Sequence, residues 1–201
     1  MGQYVDQHFE AIRFNGQDLR DGDYLRCTFK GCQFTHTSME ETYTNSCRFE
    51  QCNFHGAMLN ASNHTGSAFE NCNFMEANLF VAKFIDCKMV GSDFSNAKLD
   101  GITLTNGDWS YTNLRQVRLN KQDLRNIRFF EADLYEANLE NSDLRNCDLT
   151  RANLAKTTLR GADLRGAIMS GVDFKSFDVK GARMDSSQAV VFLRSYGAKV
   201  D

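Results

Sequence analysis

A large apolar residue recurs at every fifth position along almost the whole chain. From Tyr4 the series runs Phe9, Phe14, Leu19, Tyr24, Phe29, Phe34 and onward to Met184. Only Thr44 and His64 break its apolar character, and the spacing never slips. With this residue called i, position i−2 is usually small, as at Cys27, Cys32, Ala57, Cys72, Ala132 and Ala162, and all seven cysteines fall there. Position i−1 is rich in Asn and Asp, and ten of the 14 glycines occupy i+2. A period of five matches neither the helical repeat of about 3.6 nor the alternation of a strand. It matches a chain that turns a corner every five residues.

Four such corners close a square coil of 20 residues, and residues 20 apart then stack. The columns Phe14, Phe34, Phe54, Phe74, Phe94 and Leu19, Met39, Leu59, Leu79, Leu99 keep their character at that spacing. The pattern therefore predicts an all-β protein: a right-handed quadrilateral parallel β-helix of about nine coils, with i and i−2 inside and the other positions outside. Glycine at i+2 fits corners that need a positive φ. The chain contains no proline, as expected where a continuous ladder needs every N–H. The pentad ends after Met184. A short C-terminal helix is predicted from Gln188 to Tyr196, with Ser186 or Ser187 as N-cap and Gly197 as the stop. The reading gives two segments, a β-helix over 1–185 and a capping and dimerisation helix over 186–201. Ala189, Phe192, Leu193 and Tyr196 share the face expected to cover the last coil. Apolar surface on more than one side suggests a homodimer through Val190, Val191, Phe192, Leu193 and Tyr196.

Chemistry-bearing patterns are few. The spacing of Cys27 and Cys32, and of Cys47 and Cys52, is the repeat period, so these residues read as buried small side chains, not metal ligands. His64 reads as a satisfied core histidine. No nucleophile elbow, phosphate loop or metal-protease motif occurs, and a filled shaft offers no substrate cavity, so neither an enzyme nor a cofactor is expected. No apolar run is long enough to span a bilayer and no signal peptide is evident, which points to the cytoplasm.

Formal net charge is −3, which excludes a generic basic nucleic-acid binder. Residues 1–100 carry 13 acids and 8 bases, and residues 101–201 carry 13 acids and 15 bases. Asp123, Asp143 and Asp163 stack beside Arg125, Arg145 and Arg165 and read as an ion-paired, solvated face. A second row, Asn53, Asn73, Asp93, Asn113, Asp133, Asn153, Asp173, has no matching arginine column. It either hydrogen-bonds the corners or imitates spaced phosphates. Met75, Phe80, Ile85 and Val90, with Phe130 and Tyr135, fall at outward positions and either make contacts or tuck in by local distortion.

The pentads Ala132-Asp133-Leu134-Tyr135-Glu136 and Ala152-Asn153-Leu154-Ala155-Lys156 resemble those of the pentapeptide-repeat superfamily. The stretch Asn63-His64-Thr65-Gly66-Ser67-Ala68-Phe69-Glu70-Asn71-Cys72 and the tail Ser187-Gln188-Ala189-Val190-Val191-Phe192 are similar to the MfpA/Qnr quinolone-resistance group. Unlike many Qnr proteins, this chain has no loop interrupting the coil. The resemblance implies a homodimeric rod that mimics duplex DNA, binds DNA gyrase or topoisomerase IV without binding nucleic acid itself, and confers or modulates fluoroquinolone resistance. On that basis the acids expected to carry binding are Asp93, Asp133 and Asp173, with Glu50 and Glu70 on a neighbouring edge. The other readings are a scaffold for an unrelated protein partner and self-immunity to a gyrase poison.

Overall fold

The computed structural model describes residues 2–200. The chain winds as a parallel, four-sided β-helix in which each residue pairs with the one 20 positions on. Strands β1 (Gln3–Val5), β3 (Asp23–Leu25), β5 (Tyr43–Asn45), β7 (Asn63–Thr65), β9 (Lys83–Ile85) and β10 (Thr103–Thr105) build the first face. Strands β2 (His8–Glu10), β4 (Thr28–Lys30), β6 (Arg48–Glu50) and β8 (Ala68–Glu70) build the second. The third and fourth faces are held by single-residue bridges such as Gln33↔Asn53 and Ser38↔Met58.

The right-handed β-helix fold is as the pentad predicts, but its coil count needs correcting. Regular strand ladders run for about five turns, not nine. Beyond Thr105 the stacking persists only as isolated bridges, from Asp108↔Arg128 to Asp163↔Arg183.

The corners satisfy their backbone groups in two ways. In the strand-rich half the cysteines act as donors. Cys27 Sγ–H donates to the carbonyl of Tyr4, Cys47 to Tyr24, Cys52 to Phe29 and Cys72 to Phe49, across 3.2–3.5 Å. The amides of Cys47 and Cys72 in turn donate to the hydroxyls of Ser67 and Ser92 one coil on. These corners stay open, and the residues around i remain extended. Other corners close on themselves, in the strand-rich half as well, where Ala57 N–H donates to Phe54 C=O and Ser92 N–H to Met89 C=O. Ile127 N–H donates to Leu124 C=O, Ala132 to Phe129 and Ala152 to Leu149. Cys147, stacked on Ile127, closes likewise through its amide on Leu144 C=O. The cysteines are therefore buried hydrogen-bonding groups as well as small fillers.

Each i+2 residue from Asp6 to Gly171 has a positive φ, between 51° and 75°, and most of these are not glycine. That conformation costs an L-residue about 1–2 kcal/mol, and it persists because the ladders on both sides fix it. At Gly91 a second constraint applies, since an added Cβ would collide with the Asn71 side chain one coil below.

The shaft is filled by stacked rings. Phe14, Phe34, Phe54, Phe74 and Phe94 lie parallel with centroids 4.8–4.9 Å apart. Phe9, Phe29, Phe49 and Phe69 form a second column at 4.5–4.7 Å, edge-on to the first. Trp109 ends these columns, packed against Phe94 and Phe84. In the first coil Gln7 and Gln17 occupy i−2 and donate to the carbonyls of Val5 and Arg13.

His64 is the polar exception in the core. Ser62 donates to the Leu59 carbonyl, so its oxygen is left to accept from His64 Nε2–H at 2.9 Å. That leaves Nδ1 to accept from the Thr44 hydroxyl at 2.8 Å. The ring is neutral and fully bonded, and burial pushes its pKa down to about 3.

Helix α1 spans Ser186–Ser195, and its N-cap is Asp185, not Ser186 or Ser187. Asp185 and Gln188 form a capping box, with Gln188 N–H on the Asp185 carboxylate and Asp185 N–H on Gln188 Oε1. Gln188 Nε2 also donates to the carbonyls of Leu164 and Ala167, which ties the helix to the last coil. This bond sets the helix rotation. The covering face is Gln188, Phe192 and Ser195, whereas Ala189, Leu193 and Tyr196 point outward. Among the described residues no helix is long and apolar enough to cross a membrane.

Candidate partner-binding surfaces

The Asn/Asp row stands on the third face. Gln33, Asn53, Asn73, Asp93, Asn113, Asp133 and Asn153 are bridged in series. Its acids are not alike. Asp93 accepts from the Ser95 amide at 2.8 Å and the Ser95 hydroxyl at 2.5 Å, and forms no ion pair among the described residues. Asp173 is exposed, and its carboxylate accepts from the Lys175 amide. Asp133 departs from the expectation of an unpaired row: Arg115 Nη1 lies 3.0 Å from its Oδ2, and Asn153 donates to Oδ1 at 2.9 Å. The arginine is 18 residues away, at i+1 of the previous coil, so a search for columns at 20 misses it.

Glu50 and Glu70 stack in β6 and β8, as the register requires. Both are held by Arg48, which contacts Glu50 along its own strand and Glu70 at 2.9 Å across the coil. The triplet Arg48-Phe49-Glu50 is the Asp-Leu-Arg pattern reversed, and that signal was present in the sequence. Of the five expected acids, then, only Asp93 and Asp173 lack an ion-pair partner among the described residues. Sequence reasoning passed over Asp21, Glu40 and Glu41, which cluster unpaired on the fourth face near the N-terminus.

The aspartate–arginine face is as expected. Arg125, Arg145 and Arg165 grip Asp123, Asp143 and Asp163 at 2.6 Å. Hydrogen bonds from these arginines hold all three carboxyls below the usual range, Asp163 at about 2. The outward apolar residues resolve differently. Met75, Ile85, Val90, Phe130 and Tyr135 are half-buried, and Phe80 stands 52% exposed. Arg115 and Lys156 flank the Tyr135 ring, which fixes it against the coil.

At the C-terminal end Phe192 packs against Phe174. Val191, Leu193 and Tyr196 are exposed at 48%, 47% and 58%, and Val190 is half-buried. Ile168, 55% exposed, lies on the coil beside Val191 with Met169 and Phe174 in a shallow apolar groove. The sequence placed Ile168 outward but gave it no role. Among the described residues no group of His, Cys, Asp and Glu is arranged to hold a metal.

The chain matches the family of pentapeptide repeats, in eight copies, over residues 27–63, 52–79, 112–151, 132–171 and 147–185. A search of curated proteins by sequence gives no match. Among solved structures, a trypsin-treated variant of QnrB1, a plasmid-mediated fluoroquinolone resistance protein, is similar with a TM-score of 0.88 at 22% identity, over 100% of both chains. Full-length QnrB1 is similar with a TM-score of 0.81 at 21% identity, over 98% of this chain and 100% of the other. HetL from the cyanobacterium Nostoc, involved in heterocyst differentiation regulation, is similar with a TM-score of 0.51 at 22% identity, over 91% of each chain. With repeats matched over 27–79 and 112–185, more than half its length, the chain belongs to the pentapeptide-repeat family.

Proposed function

We propose that this protein is a cytoplasmic DNA mimic that binds DNA gyrase, with topoisomerase IV as a second target, and confers or modulates fluoroquinolone resistance. The observation that carries the reading is the end-to-end likeness to a fluoroquinolone resistance protein, helix included. Two features support it. The rod is four-sided, and among the described residues its N-terminal half holds most of the acids that have no ion-pair partner. The third-face row supplies a carboxylate every two coils, about 9.6 Å, against one phosphate per ~3.4 Å along a DNA strand. It acts as a sparse set of phosphate positions inside a matching shape.

The exposed Val191, Leu193, Tyr196 and Ile168 form the surface through which two copies join end to end, making a dimer roughly 80–100 Å long. The test is a supercoiling and cleavage assay with purified protein, gyrase and a fluoroquinolone. Inhibition of supercoiling, with fewer drug-stabilised breaks, is expected. Absence of any gyrase binding would favour the scaffold reading, for which the regulatory relative HetL offers a precedent of fold.

A further inference from the structure

The fourth face carries an ordered sequence of charges. Counting coils of 20 residues from residue 2, coils 1 and 2 present Asp21, Glu40 and Glu41, none ion-paired among the described residues. One Glu40 oxygen is enclosed and bonded to nothing. Coils 3 and 4 present Met58, Phe80 and Val81, exposed at 37%, 52% and 39%. Coils 5 and 6 present Lys98, Arg118 and Lys121, exposed and likewise unpaired among the described residues, with one unpaired acid, Asp100, among them. Acid, apolar and basic patches thus follow one another along one side of the rod.

Such an order is self-complementary. A two-fold axis lying in the face along the strand direction at coil 4 reverses the coil order and sets i+1 opposite i+1 and i+2 opposite i+2. Phe80 then meets Phe80 of a second copy, and Val81 meets Val81. Glu41 falls opposite Lys121, Arg20 opposite Glu140, and Met58 opposite the aliphatic stem of Lys98. Glu40 falls opposite Asn120, next to Arg118. No like charges face one another in this register. An axis half a coil nearer the N-terminus would set Asp21 against Lys121 and Asp18 against Arg118, but also Glu40 against Asp100, a like-charge pair that the first alignment lacks.

We propose that the fourth face is a self-association surface on which a second copy of this chain docks antiparallel, centred on Phe80. The contact runs about 30 Å along the rod and one coil side across, well under the ~800 Å² per partner of a standard interface. The association is therefore weak, concentration-dependent and salt-sensitive. It is separate from the C-terminal apolar surface.

Sedimentation velocity of the full chain over a wide concentration range tests this. Mass should rise with concentration at low salt. Glu41→Lys and Lys121→Glu should each move that rise to roughly tenfold higher concentration or beyond. An equimolar mixture of the two variants should recover wild-type behaviour, because the reversed charges then meet with opposite signs. Both positions are exposed corners with φ of 56° and 61° in the native chain, so neither exchange disturbs the fold, which circular dichroism checks. Any end-to-end contact sets the mass at dilution equally in every sample. A wild-type mass that stays constant, single variants that associate like wild type, or a mixture no better than its components would each overturn the proposal.

Discussion

Phe54 lies between Phe34 and Phe74 at 4.8 Å on either side, with no exposed surface. Its neighbours are locked in ladders and cannot collapse into a void. Phe54→Ala should cost about 3–5 kcal/mol in denaturant unfolding; a loss under about 1 kcal/mol would contradict a rigid ring column. His64 gives a pH prediction. Its folded pKa, about 3, is below the ordinary 6.5, so the unfolded chain takes up the proton first. Stability is full above about 6.5 and falls as pH drops towards 3, by about 2–3 kcal/mol at pH 4.5. Asp123, Asp143 and Asp163, held low by their arginines, lose their contribution only below that window. Thermal melts of wild type and His64→Phe from pH 7 to 4.5 should show the extra slope only in the wild type. At this scale the inward set was legible, because size at i and i−2 is the pattern itself. The donor role of the cysteines was not legible. It depends on which carbonyl, 23 residues back, the corner leaves open.

The elements were legible in kind, less so in placement. The 20-residue stacking followed from column identity. Where strands give way to single bridges did not, because the residue type at i−2 does not decide it: Cys47 stands at an open corner and Cys147 at a closed one. The helix was placed from apolar spacing, but a polar residue fixes its rotation. Gln188 bonds the cap and two carbonyls of the last coil, and this turns Leu193 and Tyr196 to solvent. Gln188→Ala removes these bonds and leaves the Ala167 carbonyl unmatched, at about 1–3 kcal/mol. Faster amide exchange across Ser186–Ser195, with the coils unchanged, should follow. Unchanged protection would show that Phe192 alone holds the helix. Deleting 187–201 should leave the β-helix folded and abolish the end-to-end dimer in light scattering; an intact dimer would rule out that surface.

The rod as a whole presents its charge unevenly. One face is neutralised by regular aspartate–arginine pairs, and Arg48 and Arg115 neutralise three of the acids expected to bind. The sequence showed the columns at 20. Pairs at 18 and 22 cross between columns and depend on side-chain reach. For mimicry of DNA the free carboxylates matter most, since a paired one must first break its own contact. Gyrase inhibition therefore offers the most direct measurement: Asp93→Asn/Asp173→Asn against Asp143→Asn/Asp163→Asn and wild type, at two salt concentrations. The account predicts a loss of potency of roughly tenfold or more in the first variant, little change in the second, and weaker inhibition by wild type at higher salt. Equal potency of all three proteins, without salt dependence, would contradict it.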